Sequence, residues 1–297
     1  MNSIRIWRFG LIISLGVVTL GVAKADVPRD YYDPGNVRKF ADFLYEQGDY
    51  LRAAGEYQRY LFSLSEESEE SEQIRYKIAL CYRFAGENAQ AIQNFERLLR
   101  SRPQSQLASR AYYQIGATYF LMDQFEKSTR FLRETLPHIT DAQQHAEAEQ
   151  LIGLSYLMQK RWSEAGGVFK TLQGSDVIAI REKASVYHRY AEAGTQLPSR
   201  SPFLAGVLST IVPGAGRLYT GRIGDALNSL LTVGIAGWQA YDGFHRDGIS
   251  SAKGWTLGTL CGIFYIGNIY GSVISARVYN QDVEDEFLAT ISVELPY

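Results

Sequence analysis

The sequence predicts an all-α chain, a helical solenoid followed by a membrane-embedded helical hairpin. Three observations carry that prediction. A segment with one helical grammar recurs four times between residues 34 and 172, 23 uncharged residues run from Gly254 to Ala276, and a 16-residue uncharged run precedes them from Ala226 to Tyr241. At 297 residues, 46% hydrophobic and 21% charged, the chain has core enough for two folded units. Its net charge of -2 gives no basic field to attract nucleic acid, and no nucleic-acid partner is expected.

The N-terminus supplies Arg5 and Arg8, then the uncharged run "FGLIISLGVVTLGVA", then "AKA" at Ala23 to Ala25. Basic residues, a short apolar run and a small-x-small site predict a secretory signal peptide over 1–25, which exports the rest of the chain. No cysteine stands at the cleavage site, so a lipoprotein route is not supported. The two cysteines, Cys81 and Cys261, fall in different regions and read as separate buried thiols.

The repeat occupies 26–196. Its four copies are "FADFLYEQGDYLRAAGEYQRYL", "IALCYRFAGENAQAIQNFERLL", "IGATYFLMDQFEKSTRFLRETL" and "IGLSYLMQKRWSEAGGVFKTL". Each has a small residue (Ala41, Ala79, Gly116, Gly153), a large one three residues on (Leu44, Tyr82, Tyr119, Tyr156) and a turn (Gly48, Gly86, Asp123, Lys160). A second small residue comes next (Ala53, Ala91, Ser128, Ala165), then large ones at Tyr57, Phe95, Leu132 and Phe169 and at Tyr60, Leu98, Thr135 and Leu172. Spacings of three and four on either side of a turn are those of two antiparallel helices, with small residues admitting the large ones opposite.

With those residues in place, the segment from Pro34 to Leu172 resembles the tetratricopeptide repeat family, most closely in "GDYLRAAGEYQRYL". The turns are 38, 37 and 37 residues apart against about 34 in the family. The polar insertions "SLSEESEESEQ", "SRPQSQLAS" and "PHITDAQQH" absorb the difference. Five glutamates between Glu66 and Glu72 read as a solvated helix start that complements the dipole. A last helix, "REKASVYHRYAEAG", reads as the cap of the solenoid. The resemblance implies a concave face that binds a protein or peptide partner. Carried over position by position, that face falls on Arg38, Asp42, Tyr45, Tyr76, Arg83, Tyr113 and Phe120, then Leu154 and Leu157.

After a linker at 197–202 comes a membrane module at 203–280, with an interfacial segment at 203–222, helices at about 223–244 and 254–276, and an acidic tail at 281–297. The run Gly254 to Ala276 covers about 34 Å as helix and spans a bilayer, whereas "FLAGVLSTIV" covers about 15 Å and cannot cross alone. Gly254, Gly258 and Gly262, then Gly267 and Gly271, place a smooth stripe on the long helix, and Asn228, Thr232, Ala236 and Ala240 do the same on the preceding one. Small faces of this kind pack a hairpin or pair two copies. Asn268, polar near mid-span, reads as interhelical glue.

The stretch "IVPGAGRLYTGRIGDAL" has glycines at the positions of a phosphate-binding loop. Arg222 and Ile223 stand where that loop needs lysine and a hydroxyl, so nucleotide binding is excluded. Its Pro213, Gly214, Gly216, Tyr219 and Gly221 instead resemble the P-G-x-G-x-x-Y-x-G signature of small bacterial two-transmembrane-helix domains, with Arg217 in place of an expected glutamine. That resemblance implies architecture rather than a reaction. Proline and glycines there break an apolar helix at the interface, and Arg217 with Arg222 can meet lipid phosphates.

No histidine pair has metal-ligand spacing and no nucleophile–base set is suggested, so neither enzyme activity, metal nor cofactor is expected. The chain therefore reads as a noncatalytic, exported, membrane-anchored adaptor in bacterial cell-envelope assembly. Its expected place is the inner membrane with the repeats in the periplasm, because outer-membrane spanning proteins are usually barrels. The alternative makes the membrane module the active part, binding lipid or a membrane-protein partner and assisting insertion or transport.

Overall fold

The computed structural model describes residues 32–65 and 68–293. The signal peptide expected at 1–25, Glu66 and Glu67 lie outside them. The described residues form thirteen α-helices and two short 3-10 turns, with no strand among them.

Eight helices make four antiparallel pairs: α1 (Pro34–Glu46) with α2 (Tyr50–Phe62), α3 (Glu69–Phe84) with α4 (Asn88–Ser101), α5 (Gln106–Leu121) with α6 (Phe125–Thr135), and α7 (Ala142–Met158) with α8 (Trp162–Leu172). One termination device recurs in all four. Gly48, Gly86, Asp123 and Lys160 take left-handed φ values of 78°, 80°, 57° and 60°. The next amide in each case donates back to the carbonyl of Leu44, Tyr82, Tyr119 or Tyr156, at 2.9, 2.9, 3.0 and 2.9 Å. This is a Schellman cap, which satisfies carbonyls the helix end would orphan and turns the chain into the second helix. The first helix of each pair starts on a side-chain cap from Asp33, Ser68, Ser105 or Asp141, so the polar insertions supply acceptors for its orphan amides.

The small and large positions meet as spaced. A Cβ on Gly116 would lie 2.5 Å from Leu132 Cγ, and one on Gly153 would lie 2.7 Å from Phe169 Cζ. Tyr57, Phe95, Leu132 and Phe169 are fully buried, and each contributes roughly 1.5–3 kcal/mol by leaving water. Glu69 faces solvent as expected, but two glutamates of α3 do not: Glu70 is tied to Arg38 and Tyr60 of the first pair, and Glu72 is buried beside Arg102 at the end of α4, at 3.5 Å. Cys81 is buried, its thiol pushed up to about 12 by burial, and Cys261 is half-buried; both are free.

The fifth first-type helix, α9 (Ile178–Thr195), packs on α8, with Gly194 giving room to Trp162. It does not close the solenoid alone. The final helix, α13 (Ala252–Ala289), runs on past the expected end at 276, so the residues read as a tail from 281 are helical to Ala289. Phe287 meets Trp162 and Tyr190 edge-on at centroid distances of 5.6 and 6.4 Å, and Glu284 and Asp285 pair with Lys160 at 3.1 and 2.9 Å. Ile291 is buried in the same core.

The remaining helices pack around α13. α10 (Pro202–Ile211) runs antiparallel to it, from Arg200 beside Asn280 to Thr210 beside Tyr265. α11 (Ala215–Tyr219) then returns along the same helix, and α12 (Ile223–Asp247) packs antiparallel along its length. The segment expected to lie at an interface, 203–222, is thus two short helices joined by a tight bend. α13 is the one helix among the described residues that is long and apolar enough to cross a membrane.

Around that bend the polar groups close on each other. Gly214 N–H donates to Asn268 Oδ1 at 2.9 Å, and Asn268 Nδ2 donates to the Ser209 carbonyl at 3.3 Å. Gly216 N–H donates to Ser209 Oγ at 2.9 Å, Ser209 donates to Ser272 Oγ at 2.7 Å, and Thr220 and Ser275 share a hydroxyl bond of 2.6 Å. Asn268, Ser272 and Ser275 stand on one face of α13 and are buried. A helix broken inside a packed module needs such a ladder, because the amides and carbonyls it frees are buried and must find partners.

The packing stripe of α13 needs correction. Gly254 leaves room for Phe244, and a Cβ on Gly258 would lie 3.8 Å from Ala240 Cβ, but one on Gly262 or Gly267 would meet nothing within 4 Å. Gly271 makes room for the Arg217 guanidinium instead of for a helix. On α12, Ala236 and Ala240 are buried, whereas Asn228 is exposed.

Candidate partner-binding groove

The first helices of successive pairs lie side by side, and residues one period apart share a register. Tyr76, Tyr113 and Gln150 form one such row on α3, α5 and α7, each 37 residues from the next. Arg110 and Glu147 form a second, three residues earlier. Between these rows lies a polar groove of about 270 Å³, lined by Tyr76, Arg110, Gln114, Gln143, Gln144 and Glu147, with Tyr113 at its floor.

The structure separates the expected groove residues into three kinds. Arg38 and Asp42 are already engaged: Arg38 donates to Glu70 and lies over Tyr60, and Asp42 accepts from Tyr57 and Lys77 at 2.6 Å each. Burial raises the Asp42 carboxyl, but the bonds from Lys77 and Tyr57 outweigh it and hold the group below its ordinary range. Tyr45, Arg83, Tyr113 and Phe120 serve packing. Tyr45 stacks edge-on against Tyr50 and Phe84, its hydroxyl pushed up to about 12 mainly by burial. Phe120 packs on Phe125 at 5.0 Å. Arg83 is buried and donates to Gln114 Oε1, and Tyr113 is buried with its hydroxyl raised first by desolvation and then by Glu147. Leu154 and Leu157 are likewise buried. From the expected set two residues line the groove, Tyr76, half-buried against Phe95 with Gln114 facing its hydroxyl, and the buried Tyr113 at the floor.

The family's positions miss Arg110, Gln114, Gln143 and Glu147. The repeat itself held the signal, since Arg110 and Glu147 sit one period apart and Gln114 is one period beyond Lys77. Arg110 is exposed and makes no ion pair among the described residues, and Glu147 accepts only from Gln143, at 3.0 Å. Gln144 is 91% buried, and its Oε1 has no hydrogen-bond partner among the described residues. Both carboxamide atoms of fully buried Gln150 lack one as well. Orphaned buried groups cost about 1–3 kcal/mol each. The groove therefore offers one cation, Arg110, and two carboxylates, Glu147 and the helix-capping Asp141, beside the unsatisfied Gln144 amide.

The residues expected at a membrane interface lie elsewhere, around the bend. Pro213 breaks the helix after Ile211, Gly214 takes φ 91°, and a Cβ at Gly214 or Gly216 would overlap the carbonyl oxygen of Ala226 or Ala205. Gly221, at φ 81°, ends α11 with the same cap used in the solenoid, Arg222 N–H reaching the Arg217 carbonyl at 2.9 Å. Tyr219 lies under Arg200 at 4.9 Å. Arg217 reaches toward the Asp225 carbonyl at 3.4 Å, and Arg222 pairs with the Asp225 carboxylate at 2.8 Å. No group of three or more His, Cys, Asp or Glu among the described residues is placed to hold a metal.

Compared with known families, residues 73–105 match the tetratricopeptide repeat. The match falls on α3 and α4, the second of the four pairs. Among curated proteins no match is found.

Proposed function

We propose that the chain is a noncatalytic adaptor that holds a protein or peptide segment in the groove of α3, α5 and α7. In this reading it is exported and anchored in the bacterial inner membrane by α12 and α13, with the solenoid in the periplasm serving envelope assembly. The observation that carries it is a polar groove with an unpaired Arg110 and Glu147, on a chain that matches a repeat family of interaction modules. An extended segment placed there would supply a carboxylate or carbonyl for Arg110 and donors for Glu147 and Gln144.

Anchoring is supported by side chains. Leu227, Leu231, Ile235, Trp238, Ile263 and Ile266 are exposed on α12 and α13, a face water would not favour. Export rests on the N-terminal segment. The test is photo-crosslinking from Gln143 in intact cells, followed by capture of the full chain. A protein recovered with the native groove and lost with Arg110→Ala plus Glu147→Ala supports the adaptor; recovery unaffected by both substitutions sinks it. Protease access to the solenoid in spheroplasts tests its side of the membrane.

One observation favours the second reading, in which the module acts on lipid. Arg200, Arg217, Arg222 and Arg277 all stand at the solenoid end of the module, a collar suited to phosphate headgroups. If Arg217→Ala with Arg222→Ala leaves binding to anionic vesicles unchanged, that reading fails.

A further inference from the structure

The face of α12 turned away from α13 carries two polar side chains that nothing among the described residues answers. Ala226, Ser229, Val233, Ala236 and Ala240 are the buried positions of this helix. Asn228, Ile235 and Gln239 lie along another line, separated by seven and four residues, which brings them to one side of the helix. All three are exposed, Ile235 at 57%. Gly224 extends the line by one turn, and a Cβ there would meet nothing within 4 Å. Asn228 receives only a long 3.5 Å contact from Thr232, and Gln239 has no hydrogen bond among the described residues.

The depth of these groups decides their consequence. Ile235 is the midpoint of the 25-residue helix. At 1.5 Å per residue Asn228 lies about 10 Å to one side of it and Gln239 about 6 Å to the other. On the reading of α12 as a span, both fall within the roughly 15 Å half-thickness of a hydrocarbon core, where an unpaired amide has no water; Asp242, about 10 Å from the midpoint, is by contrast paired with Arg246 and Lys253.

We infer that α12 pairs in parallel with α12 of a second copy of this chain, along the line Gly224, Asn228, Ile235 and Gln239. The inference rests on the reading of α12 and α13 as membrane-spanning. Polar complementarity selects the occupant. A carboxamide carries both a donor and an acceptor, so an identical carboxamide satisfies it. Two copies inserted with one topology are related by a two-fold axis along the membrane normal, which sets each residue of the line opposite itself. Asn228 then meets Asn228 and Gln239 meets Gln239, while Ile235 packs between the two amide pairs and Gly224 lets the helices converge. A lipid tail offers neither donor nor acceptor.

The test uses the full chain in native membranes with Cys261→Ser, leaving the buried Cys81. Ile235→Cys and, on the opposite side of α12, Leu230→Cys are oxidised in parallel, and alkaline carbonate extraction is run on the same membranes. The expected result is a disulfide-linked dimer at Ile235→Cys, little at Leu230→Cys, and protein retained after extraction. Adding Asn228→Leu with Gln239→Leu should lower the dimer about tenfold, the scale of interhelical hydrogen bonding in membranes. Retained protein with equal crosslinking at both positions, with none, or with only heterologous adducts overturns the pairing and leaves the anchor standing. Protein released by carbonate overturns both.

Discussion

Gly86 in the solenoid and Gly214 in the apolar module adopt nearly the same left-handed backbone, φ 80° and 91°, for different reasons. Around Gly86 there is open space, and the equivalent turns are made by Asp123 and Lys160, so the position needs a conformation and not an absence of side chain. Around Gly214 the chain itself fills the space, Ala226 on one side and Asn268 on its amide. A solenoid repeats one local solution, and each copy tolerates variation because the neighbours supply redundancy. The module makes a single bend once, with every group committed.

The largest effect expected from this difference is at Gly216 and Gly214. Gly216→Ala drives a methyl into the Ala205 carbonyl and Ser272, and Gly214→Ala adds backbone strain to a similar collision. Each should cost about 3 kcal/mol or more, against about 1 kcal/mol for Gly86→Ala, which meets only the left-handed strain. Thermal unfolding of the detergent-purified full chain, read by protease resistance of each region, separates them. Equal losses at Gly86 and Gly216 would break the comparison.

Next in size is the polar ladder. Asn268→Leu keeps the branched outline of the side chain but orphans the Gly214 amide and the Ser209 carbonyl, at about 1–3 kcal/mol for each group. Cleavage between α10 and α11 should appear at a lower temperature while the solenoid melts unchanged. A half-buried residue at the junction comes third: Phe287→Ala removes the ring wedged against Trp162 and Tyr190 and should cost roughly 1–2 kcal/mol. That loss should register in the last repeat and α9, and leave the bend intact.

Legibility from sequence divides along the same line. The pairing of small with large residues and the turns at Gly48, Gly86, Asp123 and Lys160 could be read because four copies expose a shared constraint, even where the residue changes from glycine to lysine. The groove was only partly legible. Family positions point at Arg83, Tyr113 and Phe120, yet in this chain burial turns Arg83 and Phe120 to packing and leaves Tyr113 at the groove floor, while Arg110 and Glu147, one helical turn away, supply its charges. In the module, composition gave the apolar runs but not their path. The return of α11 along α13 depends on Ser209, Asn268 and Ser272 meeting across some sixty residues of sequence, and no local spacing encodes that. The run of α13 into the solenoid was hidden by its charge. Glu284 and Asp285 read as tail residues until Lys160 is seen between them.

The smallest effect, and the one that sharpens the contrast through pH, is at Asp42. Its carboxyl is held below the ordinary range in the folded chain, burial opposing and the bonds from Lys77 and Tyr57 prevailing. A depressed folded-state value means that the unfolded chain binds the proton more readily. The contribution is therefore present above the unfolded value of about 3.9 and is lost as pH falls through the lower folded one. With 34% of the side chain exposed, screening by solvent keeps it below about 1 kcal/mol. Melts of the native chain and of Asp42→Asn should differ at about pH 6 and converge as the pH falls below the depressed folded-state value, in the first two repeats alone. The Asn268 ladder contains no ionisable group, so the melting of the bend should not track that convergence, and a parallel shift there would show that the two regions unfold as one.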